Sequence, residues 1–210
     1  MRKRLLKNCR LYVVIDQKTA GKKDLSEIAK KAVTGGADII QLRFDKQELA
    51  AKILNTAAAI KKIAKRNKCL FIVNDRVDIA CAIGADGVHL GQLDLPVKEA
   101  RRLLGKDKII GISTHSYKQA VDAQKKSVDY ISVGPILRTP TKKEYMPVGL
   151  SLLKRVSKNI KTPFFAIGGI NKHNIDRIIA AGANRIAVVR AVVSAKDAVR
   201  ATKELKDKII

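Results

Sequence analysis

The chain has 210 residues, of which 46% are hydrophobic, enough for one globular core and too few for two ordinary domains. Lysine and arginine number 43 against 19 acidic residues, and the formal charge of +24 suits nucleic acid, an anionic membrane or phosphorylated small molecules alike. Aromatic residues make up 4% and tryptophan is absent, so a base-stacking surface is poorly supplied and a specific nucleic-acid partner is not expected.

In chain order, MRKRLLKNCR has a basic head, but Lys7, Asn8 and Arg10 interrupt its apolar run, so neither a signal peptide nor a membrane span is expected. Cys9, Cys69 and Cys81 are odd in number and lie far apart, with neither a CxxC pair nor a histidine at metal-ligand spacing. Reduced thiols and a cytoplasmic location are the expectation. Short β-branched runs follow at 11–15, 38–42, 70–74, 87–90, 109–113, 130–134, 164–168 and 185–189, giving eight predicted strands. Between them, segments such as LSEIAKKAVTGG, ELAAKILNTAAAIKKIAKR and NIDRIIAAGA carry apolar residues at helical spacing, and a last helix is predicted near 196–207. Basic pairs such as Lys30-Lys31, Lys61-Lys62 and Lys125-Lys126 fall mostly on these helices, as solvated faces do. Strand–helix repetition requires parallel strands with right-handed crossovers. The prediction is an α/β fold, a compact single-domain (β/α)8 TIM barrel over residues 1–210, with an open doubly wound sheet as the alternative.

Reacting groups of such a barrel sit at the C-terminal strand ends. Period-two alternation puts Gln41 and Arg43 on the lumen side of the second strand and Leu42 on the helix side. An arginine in the barrel mouth needs an anion, either a ligand or a neighbouring strand's carboxylate. The third strand runs into Asn74-Asp75-Arg76 and the fourth into His89-Leu90-Gly91-Gln92 with Asp94. Asp75 and Asp94, on adjacent strand ends, suit Mg2+, which takes one or two carboxylates, waters and phosphate oxygens; a helix cap and a turn before Pro96 are their structural alternatives. Ser113, at the end of the fifth strand, suits a phosphate or a helix cap. His89 and His115 show no partner serine or cysteine arranged for nucleophilic catalysis and read as structural. After the sixth strand, Thr139, Pro140, Thr141, Lys142 and Lys143 form a loop whose hydroxyls and ammonium groups suit phosphate oxygens. Gly168-Gly169 and Val189-Arg190 follow the last two strands, where barrels bind phosphate through backbone N–H groups, although a tight turn also accounts for the glycines. Two anion subsites result, with metal and lysine on one side and glycines on the other.

The motifs QLR, NDR, DGVHLGQxD, GIS, GPIxxTPTK, AIGGI and AVV stand in this order over the second to eighth strands. In these the sequence resembles the thiamine phosphate synthase family. The resemblance implies that Gln41, Arg43, Asn74, Ser113 and Lys142 bind an aminopyrimidine diphosphate, with Arg43, Ser113 and Lys142 catalytic. It further implies Asp75 and Asp94 on the cofactor Mg2+, and Thr139, Pro140, Thr141, Gly169, Val189 and Arg190 on a thiazole phosphate. In the family the C–O bond to diphosphate breaks first, and the thiazole nitrogen captures the resulting pyrimidine-methyl carbocation. Partners are expected to be phosphorylated small molecules, with no membrane, and self-association into a homo-oligomer is left open.

Three positions depart from the family pattern. The family reads Q-x-R-x-K where this chain has Gln41-Leu42-Arg43-Phe44-Asp45, with Lys46 one place later; Arg190 stands where many relatives carry Ser; and Arg138 precedes the threonine loop. The rival readings are a thiazole tautomerase of the same superfamily and, remotely, a basic nucleic-acid-binding protein, which predicts duplex binding that weakens steeply with salt.

Overall fold

A computed structural model describes residues 2–45, 47–142 and 145–209. Eight parallel strands close into one barrel, each hydrogen-bonded to its neighbours in sequence order: β1 (Leu11–Asp16), β2 (Ile39–Arg43), β3 (Leu70–Asn74), β4 (Gly87–Leu90), β5 (Ile109–Thr114), β6 (Tyr130–Val133), β7 (Phe164–Ile167) and β8 (Ile186–Val188). β8 returns to β1 with Leu11 opposite Ile186 and Val13 opposite Val188, so closure leaves no open edge. The expected (β/α)8 barrel is therefore present, and the doubly wound alternative is excluded.

The helices among the described residues are α1 (Arg2–Leu6), α2 (Gln17–Ala20), α3 (Leu25–Thr34), α4 (Ala50–Arg66), α5 (Val77–Ala82), α6 (Val97–Leu104), α7 (Tyr117–Gln124), α8 (Gly149–Asn159), α9 (Ile175–Ala180), α10 (Arg190–Val193) and α11 (Ala198–Lys208). Their starts are set by local chemistry. Asp24 accepts from the Ser26 N–H at 2.7 Å, Ser116 from Gln119 at 3.2 Å and Asp197 from Arg200 at 3.0 Å, each satisfying an otherwise unpaired first-turn donor.

A repeated device opens the even strands. Asp38, Asp86 and Asp129, each just before β2, β4 and β6, accept backbone N–H groups of the preceding odd strand: Leu11 at 2.8 Å, Phe71 at 3.0 Å and Ile110 at 2.9 Å. Basic side chains neutralise all three: Lys206 reaches Asp38, Arg2 reaches Asp86, and Arg101 and Lys3 reach Asp129. A part of the acid in this basic chain is thus spent on strand entry, at the face opposite the mouth.

Two apolar layers follow from strand alternation. One side of each strand packs against the helices; the other fills the lumen, where Tyr12, Tyr130 and Phe165 meet edge to face with ring centroids 5.3–5.9 Å apart. Gly111 makes room for them. A Cβ there would lie 2.1 Å from the Tyr130 ring. Leu6 of α1 and Cys9 belong to the same inner cluster. No helix among the described residues is long and apolar enough to cross a membrane.

Candidate active site

Above the aromatic plug, polar side chains line the lumen as a single hydrogen-bonded chain. Gln41 donates from Nε2 to the Tyr12 hydroxyl at 2.6 Å, the Tyr12 and Tyr130 hydroxyls are 2.9 Å apart, Tyr130 meets His89 Nδ1 at 2.9 Å, and His89 Nε2 meets Ser113 Oγ at 3.0 Å. The amide N–H donates, whereas each hydroxyl has one proton and two lone pairs and can serve its neighbours in either direction. His89 thus holds a hydroxyl at each ring nitrogen, Tyr130 at Nδ1 and Ser113 at Nε2. Burial holds the His89 imidazole neutral, with its pKa pushed down to about 3, and the nearby Lys142 and Arg43 charges act in the same direction while Asp94 opposes them. The sequence reading found no serine for this histidine because the two residues are 24 positions apart and meet only through β4–β5 pairing.

The strand ends deliver the predicted wall. Gln41 and Arg43 rise on the lumen side and Leu42 packs outward, as alternation requires. Arg43 pairs with Asp16, which sits opposite it in the β1–β2 ladder, Nε to Oδ1 3.6 Å. Asp16 was not singled out from sequence; its other oxygen accepts from the Thr19 N–H at 2.8 Å and caps α2. Asn74 and Asp75 end β3. Asp75 adopts φ +59°, rare for a residue with a Cβ, and its N–H donates to His89 O at 2.8 Å; the N-cap position of the next helix falls to Arg76, without a side-chain cap bond. The Arg76 guanidinium is engaged by Asp78, with bonds of 2.5 and 2.8 Å. Asp94 closes the turn after β4 by accepting from the Gly91 N–H at 2.7 Å.

Pro140–Lys142 form a 3-10 turn in the loop after β6. This loop is held by Tyr145, whose ring stacks on His115 with centroids 4.4 Å apart and planes 28° apart, while Lys142 Nζ lies 5.2 Å from the same ring. His115 in turn donates from Nδ1 to Gly134 O at 2.5 Å, and burial lowers its pKa. Tyr145 was missed from sequence; an aromatic residue beside the loop lysines was the available signal. Gly168 and Gly169 have φ of +105° and +70°, and a Cβ on either would collide with the β6 loop, at Pro135 Cα (2.5 Å) and Arg138 O (2.8 Å) respectively. The pair lets two mouth loops pack together.

These groups surround one continuous cavity of about 290 Å3 at the C-terminal mouth. Its wall contains Gln41, Arg43, Asn74, Asp75, Asp94, Ser113, Thr139, Thr141, Lys142 and Val189 of the expected residues, together with Tyr12, His89, Gln92, His115, Ser132, Tyr145 and Gly168. Pro140, Gly169 and Arg190 lie beside it and not on its wall; Arg138 and Arg190 are exposed. Asp45, the acid at the family's lysine position, lines an adjoining hollow with Phe44, Arg76 and Leu95 that shares Asn74, Asp75 and Asp94 with the main cavity. Lys46 and Lys143 fall outside the described residues. Among the described residues, no group of three or more His, Cys, Asp or Glu comes together. A closed protein cage for a soft metal is therefore not on offer here. Two carboxylates on the cavity wall fit a hard cation that completes its shell with water and ligand oxygens.

A barrel with cations, hydroxyls and paired carboxylates converging on a ligand-sized mouth is of the phosphate-handling class. The family model described as "Thiamine monophosphate synthase" matches residues 11–192, and the chain belongs to that family. It is 42% identical over 193 residues to the thiamine-phosphate synthase of Halalkalibacterium halodurans, covering 91% of each chain. It is 43% identical over 204 residues to that of Methanospirillum hungatei, covering 97% of this chain and 98% of the other. Among solved structures, thiamine phosphate pyrophosphorylase from Pyrococcus furiosus superposes with a TM-score of 0.88 at 35% identity, covering 99% of this chain and 96% of that one.

Proposed function

We propose that this chain is a thiamine-phosphate synthase, a transferase of thiamine biosynthesis. It joins 4-amino-2-methyl-5-(diphosphooxymethyl)pyrimidine to thiazole phosphate and releases diphosphate. The observation that carries the reading is the convergence of Arg43, Asp75, Asp94 and Lys142 on one cavity wall in a chain of this family. When the pyrimidine C–O bond breaks, negative charge grows on the departing diphosphate, so Arg43 and Lys142 bind the transition state more tightly than the substrate. Gln41, Asn74 and Ser113 hold the aminopyrimidine. Thr139, Pro140, Thr141, Gly169, Val189 and Arg190 form the thiazole phosphate side, the three off the wall acting through backbone groups or at the rim. Asp75 and Asp94 would hold Mg2+, which when bound supplies further charge neutralisation to the diphosphate. No general base is needed, because the thiazole nitrogen attacks with its own lone pair; positioning and electrostatics carry the reaction.

The same reading makes residues 1–210 one domain, acting in the cytoplasm on phosphorylated small molecules. Incubating the pure protein with both substrates, with and without Mg2+, tests it. Thiamine phosphate formed only with the metal supports the proposal; none formed under either condition sinks it, and isomerised thiazole phosphate in its place would favour the tautomerase.

A further inference from the structure

Two loops flank the mouth end of β5, one following β4 and one following β6, and both present large apolar side chains to water. Leu93 is 96% exposed and Met146 84%, while Leu93 and Tyr145 also line the cavity. The Leu93 turn is pinned on both sides: Gly91 N–H donates to Asp94 at 2.7 Å, and the Gln92 amide donates to Ser113 O at 2.5 Å. Tyr145 is pinned by its stack on His115. Tethered turns hold these apolar groups at the edge of the cavity, where a bound ligand can bury them.

We infer that Leu93 and Tyr145, with Met146 beside them, form an apolar rim that covers the reacting rings and keeps water from the pyrimidine methylene carbon. The inference rests on the synthase reading and adds a role to it. That carbon is electrophilic, and water competes with the thiazole nitrogen for it. Attack by water breaks the same C–O bond, forms a C–OH bond and releases a proton to solvent, giving hydroxymethylpyrimidine and diphosphate with no thiamine phosphate. The occupant of the rim is therefore the bound substrate pair itself. Arg43 and Lys142, on the same cavity wall, attend to the charge of the diphosphate and leave the rim to exclude water.

The test measures diphosphate and thiamine phosphate together in the Mg2+-loaded enzyme. Wild type should give one diphosphate per thiamine phosphate. Leu93→Ser and Tyr145→Ser should raise that ratio to about two or more, with hydroxymethylpyrimidine making up the difference, and Leu93→Met should restore it. Leu103→Ser is the control: Leu103 is also exposed but sits at the far end of α6, toward the opposite face. A ratio of one in both serine variants overturns the rim, as does a changed oligomeric state of Leu93→Ser on size exclusion with the ratio intact, since the leucine would then serve contact between copies. Wild type that makes no thiamine phosphate at all defeats the synthase reading itself, a result distinct from either.

Discussion

His89 Nε2 lies 3.0 Å from Ser113 Oγ, at the end of a hydrogen-bonded chain that begins at the Gln41 amide on the other side of the lumen. The relationship joins the aromatic plug to the ligand cavity: Tyr12 and Tyr130 are at once packing residues and the middle links of the chain.

Tyr130→Phe keeps the ring and removes one link. Tyr130 is fully buried, so Tyr12 and His89 Nδ1 each lose a partner that water cannot readily replace. A loss of about 1–3 kcal/mol is expected, read from the urea midpoint at unchanged slope.

Stability should depend on pH through His89. Its folded pKa, about 3, lies below the ordinary value of 6.5. Between these the unfolded chain binds a proton that the folded one refuses, so the stabilisation is complete above pH 6.5 and is lost as pH falls. The expected slope is about 1.4 kcal/mol per pH unit across the window. Subtracting the denaturation curves of His89→Gln from wild type between pH 4 and 8 isolates it; parallel curves would count against a buried neutral imidazole.

Gly111→Ala should be among the costlier single-methyl additions. The new Cβ would overlap the Tyr130 ring at 2.1 Å, and that ring is locked between Tyr12 and Phe165. We expect a loss of about 3 kcal/mol, visible as a lower thermal midpoint.

Lys142→Ala should slow synthesis by about 2–4 kcal/mol of transition-state stabilisation, with kcat falling more than KM rises, because its charge acts on the leaving group. Steady-state kinetics with both substrates measure this. A change in KM alone would place Lys142 in ground-state binding.

The amino-acid sequence by itself determined the strand–helix repeat, the barrel and the side of β2 that carries Gln41 and Arg43, because these depend on periodicities of two and 3.6 residues that neighbouring positions express. Residues directly at the strand ends, Asn74, Asp75, Ser113 and Val189, were legible for the same reason: parallel closure puts every such end on one face. Only the tertiary structure decided the partners. Asp16 on Arg43, Ser113 on His89 and Tyr145 on His115 are contacts between segments whose separation in sequence carries no signal of adjacency. It also decided that Asp38, Asp86 and Asp129 serve strand entry, at the end of the barrel opposite Asp75 and Asp94. Carboxylates of one chemistry are sorted by the end of the barrel at which closure leaves them.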